Sequence, residues 1–180
     1  NVAMSLAGTA TDVRDLIATA KAQPGKLNFA VGAIGSSLHM AGDAFKMRAG
    51  LFIVNIPYRG TAPAIADVMA GQVELMFAPM VGAQVQVRAG KLRALAVTSP
   101  QRLPAMPDVP AIAEVLPGFE SNAWFGLFAP PRMAPELLKR LSDTAREAIA
   151  RPDVRKRLES EGLQLVGHTP DEFARFVQSE

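Results

Sequence analysis

The sequence contains no cysteine, which excludes disulfides, thiolate-bound zinc, iron–sulfur clusters and cysteine nucleophiles together. Histidine is nearly as scarce. His39 and His168 are the only two, and neither stands in a carboxylate pattern that would complete a zinc site. Aromatic residues make up 6% of the chain, so a core must be built largely from Ala, Val, Leu, Ile and eight Met. Net charge is missing as well: 19 basic and 17 acidic residues leave +2, too little to mark a nucleic-acid or membrane surface. No run approaches the ~18 consecutive apolar residues of a membrane helix. The opening Asn1-Val2-Ala3-Met4 has no basic segment followed by an apolar one, so an export signal is expected to lie outside this sequence or to have been cleaved from it.

Against these absences stand 180 residues that are 49% hydrophobic and 20% charged, ordinary globular chemistry. A chain of that length buries roughly 70% of the surface its unfolded form exposes. Asp12 is placed to cap a helix on which Val13, Leu16, Ile17 and Ala20 recur at helical spacing, with Pro24-Gly25 as its stop. A strand is expected at 27–31, a turn at 32–35, then a helix capped by Ser36 or Ser37 and stopped by Gly50. Strands at 52–56, 73–77 and 92–97 follow, separated by short helices at 63–70 and 81–89. This alternation predicts βαβ units, hence a mostly parallel sheet with helices on both faces.

From Ser99 the character changes. Pro100, Pro104, Pro107, Pro110 and Pro117 break the next stretch, which reads as an ordered loop with at most one helical turn near 111–115. A strand is expected at 122–129, followed by helices at 135–150 and 153–161. Thr169-Pro170-Asp171-Glu172 is a capping box that opens a last helix to Gln178. The apolar faces of this tail, with Leu137, Leu141, Leu158 and Phe173, need a cover: the preceding lobe, or a second copy of the chain.

The stretch Val31-Gly32-Ala33-Ile34-Gly35-Ser36-Ser37-Leu38-His39 carries the most chemistry. A Gly-rich turn leads from a strand into a helix, and the unpaired N–H groups and dipole there suit a carboxylate or phosphate. No Gly-Lys-Ser/Thr follows, so it is not a P-loop, and the spacing misses the dinucleotide fingerprint. Ser36 and Ser37 are either ligand contacts or caps; His39 is either a neutral donor to a ligand or structural. Gly35-Ser36-Ser37-Leu38 is not a nucleophile elbow, and residues so close in a first turn rarely reach attack geometry, so a hydrolase is not expected. Pro57-Tyr58-Arg59-Gly60-Thr61 is a second strand-end turn, and Met76-Phe77-Ala78-Pro79-Met80 a third, apolar one. In an open α/β sheet all three share the rim outside the strands' carboxyl ends.

Several of these stretches, in this order and spacing, resemble the tripartite tricarboxylate transporter substrate-binding proteins, the Bug receptors. The likeness runs through Pro24-Gly25-Lys26-Leu27, Gly35-Ser36-Ser37-Leu38-His39, Pro57-Tyr58-Arg59-Gly60 and Gly71-Gln72-Val73. It continues through Ala89-Gly90-Lys91-Leu92-Arg93-Ala94-Leu95-Ala96-Val97-Thr98, Pro107-Asp108-Val109-Pro110 and Trp124-Phe125-Gly126. The resemblance implies an α/β fold of the type II periplasmic-binding (Venus flytrap) kind. One parallel or mixed-sheet lobe, residues 5–120, would be the second ligand-binding lobe. Residues 121–180 would supply the C-terminal strand and helices of the first, whose larger N-terminal portion is expected outside this sequence. It further implies a periplasmic receptor that binds a small carboxylate and serves membrane-integral permease subunits, with no enzyme activity, cofactor, metal or nucleic acid. Ligand contacts would fall at Ala33, Gly35, Ser36, Ser37 and His39, at Tyr58 and Gly60, and at Ala78. Relatives often carry an acidic residue at that last position, so Ala78 points away from an amino-acid ligand. The alternative is the ligand-sensing effector domain of a transcription regulator, which shares the lobe architecture. Self-association of the shortened chain is also expected.

Overall fold

A computed structural model describes residues 10–180 and the backbone of residues 2–6. Asn1, where the segment read for an export signal begins, lies outside the described residues. The chain divides into two compact units, Asn1–Trp124 and Phe125–Glu180.

The first unit is built on a five-stranded sheet. Its strands are β1 (Val2–Leu6), β2 (Asn28–Val31), β3 (Val54–Pro57), β4 (Leu75–Pro79) and β5 (Arg93–Val97), in the order β3-β2-β4-β1-β5. The four strands expected from sequence form within one or two residues of their predicted places. β2 runs parallel to β3 and to β4, while β1 lies antiparallel between β4 and β5. Four of five strands therefore point the same way, as the βαβ pattern predicts. The sequence reading did not assign β1. β1 is the antiparallel strand of the sheet and pairs with β4 and β5, both remote in sequence, so it leaves no βαβ signal.

Four helices join these strands. α1 (Val13–Ala22) starts at Asp12, whose carboxylate accepts the Asp15 N–H, and it buries Val13, Leu16 and Ala20. α2 (Ser37–Ala49) starts at Ser36 and stops at Gly50, which is left-handed as such C-caps require. α3 (Thr61–Met69) and α4 (Met80–Arg88) follow β3 and β4 directly. Right-handed crossovers place α2 on one face of the sheet and α3 and α4 on the other. Alternation along the strands then gives each face its own character. Phe29, Leu75 and Phe77 point one way, and Ala30, Met76 and Ala78 the other. On the first face the rings run in contact from Phe29 to Phe77 (5.7 Å), Phe77 to Phe45 (6.0 Å) and Phe45 to Phe119 (6.4 Å), all buried. Four of the nine phenylalanines thus supply the bulk of that layer. Gly42 sits over this layer: a Cβ there would come within 2.3 Å of the Phe29 ring.

The proline-rich stretch is ordered, as expected, with one 3₁₀ turn at Ile112–Glu114. Arg102 holds Glu114 in a two-pronged pair (2.8 Å each), and Glu114 also accepts the Ala111 N–H. The Arg102 guanidinium, followed by that backbone bond, pulls the Glu114 carboxyl down to about 2. Arg48 of α2 donates to the Pro117 and Gly118 carbonyls, tying the far end of the loop to the first unit.

In the second unit α5 (Pro135–Ala150), α6 (Pro152–Ser160) and α7 (Pro170–Ser179) form as expected, and Thr169 and Glu172 make the predicted capping box. The strand expected at 122–129 does not form. No strand among the described residues pairs with it, and an unpaired segment has no ladder to complete its backbone hydrogen bonds. None of the three helices buries a residue, and Leu137, Leu138 and Leu141 all stay open on α5.

The Phe29–Gly42 contact sets how closely α2 approaches the sheet. Gly42→Ala is expected to lower stability by about 1–3 kcal/mol, the usual cost of overpacking a tight core, despite alanine's better helix propensity. Chemical denaturation checks this; a stabilised variant would show that the ring yields freely.

Candidate functional site

The parallel strands bring the turns after β2, β3 and β4 to one rim. From β2 the chain leaves through α2 toward β3, and from β4 it leaves through α4 toward β5, in the opposite direction. Adjacent strands whose connections part in this way leave a crevice outside their carboxyl ends, the usual seat of a ligand in such sheets. Three helix N-termini, those of α2, α3 and α4, end at that rim. Each presents unpaired N–H groups and the positive end of a dipole.

The turn after β2 is the most elaborated. Gly35 adopts φ +79°, a conformation that side-chain-bearing residues rarely take. Its N–H donates to His39 Nδ1 at 3.1 Å. The Ser36 hydroxyl donates to the Ala33 carbonyl (2.8 Å) and accepts the His39 N–H (3.3 Å), so this serine is the helix cap. Ser37 stands next to it, exposed. The N–H groups of Ser37 and Leu38 find no acceptor among the described residues. Sequence alone left the two serines equivalent; the geometry separates them.

The turn after β3 is locked to the first by backbone bonds. Tyr58 N–H donates to the Val31 carbonyl and Gly60 N–H to the Gly32 carbonyl, both at 2.8 Å. The approach is close at Gly32, where a Cβ would meet the Thr61 backbone at 3.1 Å, tighter than ordinary contact. The Tyr58 hydroxyl donates to Asp67 of α3 at 2.8 Å. Burial first, then that carboxylate, pushes the phenol above its ordinary value. Arg59 is exposed beside it. Ala78 is fully buried on the face shared with α3 and α4, so its side chain contributes to the core. Thus Ala33, Gly35, Ser36, Ser37 and His39 form one turn, Tyr58 and Gly60 its neighbour, and Ala78 lies beneath the rim.

Sequence reading missed the layer under the first turn. Asp43 lies one helical turn after His39, with its Oδ2 3.2 Å from Nε2. Lys46 reaches Asp43 (2.7 Å) and donates to Asn55 Oδ1 of β3 (2.6 Å). Burial alone would raise the Asp43 carboxyl, but hydrogen bonds from Lys46 and Asn55 and the nearby charges outweigh it and hold it below the ordinary aspartate value. The i,i+4 and i,i+3 spacing of His39, Asp43 and Lys46 was the available signal. Asn55 had none. The N-termini of α3 and α4 were also missed as donors, because neither carries a Ser, Thr, Asp or Asn cap.

A family model described as "Tripartite tricarboxylate transporter family receptor" matches residues 4–180. The "UPF0065 protein in tcbD-tcbE intergenic region" of a Pseudomonas species is 39% identical over 94% of this chain and 51% of its own length. The chain thus spans about half of that relative. Among solved structures, R. palustris Rpa4515 with adipate is 31% identical with a TM-score of 0.94, covering 99% of this chain and 60% of that one. The periplasmic binding protein BugD (28% identity, TM-score 0.90, 99% and 62% coverage) is similar. So is MatC from Rhodopseudomonas palustris with bound malate (28%, 0.88, 99% and 63%). The expected α/β fold of periplasmic binding proteins is therefore shown, and this chain spans 60%, 62% and 63% of those three solved chains.

The different bonding of the two serines makes their single variants distinguishable. Ser36→Ala removes the cap and is expected to cost about 0.5–2 kcal/mol of stability. Ser37→Ala is expected to stay within about 0.5 kcal/mol. Denaturation midpoints measured side by side check this; equal losses would contradict the assignment.

Proposed function

The chain belongs to the tripartite tricarboxylate transporter receptor family, and we propose that it forms part of a receptor that captures a small dicarboxylate in the periplasm and hands it to membrane permease subunits. In this reading residues 5–120 are the second lobe of the cleft and residues 121–180 the returning portion of the first. The observation that carries it is the rim. Unengaged N–H groups of Ser37 and Leu38 stand at one of three convergent helix N-termini. A carboxylate there gains hydrogen bonds to an ionised acceptor and a favourable dipole, the latter worth about 0.3–1 kcal/mol.

Two solved relatives were determined with adipate and with malate, both dicarboxylates, which agrees with a site built for an anionic end group. Ser37 supplies one further hydroxyl. Backbone donors recognise a carboxylate whatever chain is attached to it, so the middle of the ligand is selected elsewhere, by the lining of the whole cleft. Ala78 leaves no charge beneath the rim to hold an ammonium group, in keeping with an acid that lacks one. The role calls for binding and release and for no bond-making step. The uncovered apolar face of α5 also supports self-association of this chain.

Titration calorimetry of the chain with adipate, malate and the neutral 1,6-hexanediol tests this, with light scattering to follow its mass. Millimolar binding of the diacids, about −4 kcal/mol, is expected, with no heat from the diol and a mass that rises with concentration. Equal responses to diacid and diol, or none at tens of millimolar, would overturn the carboxylate reading. A constant monomer mass would overturn the association.

A further inference from the structure

We propose that His39 is a positioning residue: its neutral imidazole holds Gly35 and so aims the carboxylate-binding turn, without itself touching the ligand. The inference rests on the carboxylate reading and goes beyond it by assigning a role to the layer underneath.

Both ring nitrogens are already committed inside the protein. Nδ1 accepts the Gly35 N–H at 3.1 Å, so it carries no proton, and the ring proton sits on Nε2. Asp43 Oδ2 lies 3.2 Å from Nε2, at ion-pair distance. Asn55 Nδ2 also lies 3.1 Å from Nε2, but its orientation is fixed from the other side. Asn55 Oδ1 accepts from Lys46, which leaves the Nδ2 end of the amide facing Asp43 Oδ1 at 3.3 Å. His39, Asn55 and Lys46 therefore all lie against one carboxylate, and Asn55 donates to it. A negative charge beside Nε2 favours a proton there, which leaves Nδ1 free to accept. The His39 side chain is only 13% exposed, leaving little of the ring for a ligand to reach.

Gly35 needs this hold. Nothing packs where its Cβ would be, and its left-handed backbone has no steric wall to keep it in place. The imidazole, reaching back from the first turn of α2, is what fixes its N–H. The peptides that follow it, including the Ser37 N–H, take their direction from that bond.

Asparagine and glutamine separate the two nitrogens of an imidazole. An Asn side chain places its oxygen near the Nδ1 position, whereas Gln places its amide near Nε2. His39→Asn is expected to bind adipate within about twofold of the wild-type chain, and His39→Gln to bind it roughly threefold to tenfold more weakly, the loss of one hydrogen bond. A direct ligand contact through Nε2 would reverse that order. Nitrogen-15 NMR of the wild-type chain supplies a readout that needs no variant to fold. It should show the Nε2–H tautomer and a coupling across the hydrogen bond between the Gly35 amide and Nδ1. Reversed order, an unchanged His39→Gln variant, or absence of the coupling overturns the proposal alone. Failure of the wild-type chain to bind either adipate or malate overturns the carboxylate reading and the proposal with it.

Discussion

Helix α2 lies against β2 because Gly42 leaves room for the Phe29 ring, and much of the rim follows from where that helix then begins. With the helix axis fixed by this contact and by the Phe45–Phe77 and Phe45–Phe119 pairs, Ser36 falls at the end of a turn only five residues after β2. A second close approach, Gly32 against Thr61, brings the next helix start alongside. The donors at the rim are backbone groups whose positions depend on packing several residues away. Two missing side chains therefore do as much for the site as the side chains it displays.

That dependence explains what could be read in the sequence. Helices α1, α2 and α5 announce themselves through caps and apolar spacing: Asp12, Ser36 with Gly50, and the leucines from Leu137 onward. β2 to β5 appear as short apolar runs between Gly and Pro. β1 escapes because its assignment depends on partners remote in sequence, β4 and β5, and the segment 122–129 fails as a strand for the converse reason. It has strand composition, and no strand among the described residues pairs with it. Propensity indicates what a segment can be, and a partner decides whether it becomes so.

The candidate site divides in the same way. The Gly-rich turn was legible, since Gly35, Ser36, Ser37 and His39 are adjacent in sequence. The division of labour between the serines was not, because only the Ser36 hydroxyl reaches both the Ala33 carbonyl and the His39 N–H. Asn55 was invisible as well, for it reaches the network from β3 through contacts that no local spacing reveals. The bond from the Tyr58 hydroxyl to Asp67 was likewise invisible in the sequence.

A site made of backbone donors also fits a family of receptors whose solved members hold different diacids. In the proposed site helix N-termini would hold the end group, and backbone donors of that kind ask little of the composition. In the proposed site the crevice outside β2 and β4 receives a carboxylate at the start of α2. The most direct test is a crystal structure of the chain grown with adipate. A carboxylate oxygen should lie about 3 Å from the Ser37 and Leu38 nitrogens. Adipate bound only at other surfaces, with that turn empty, would contradict it.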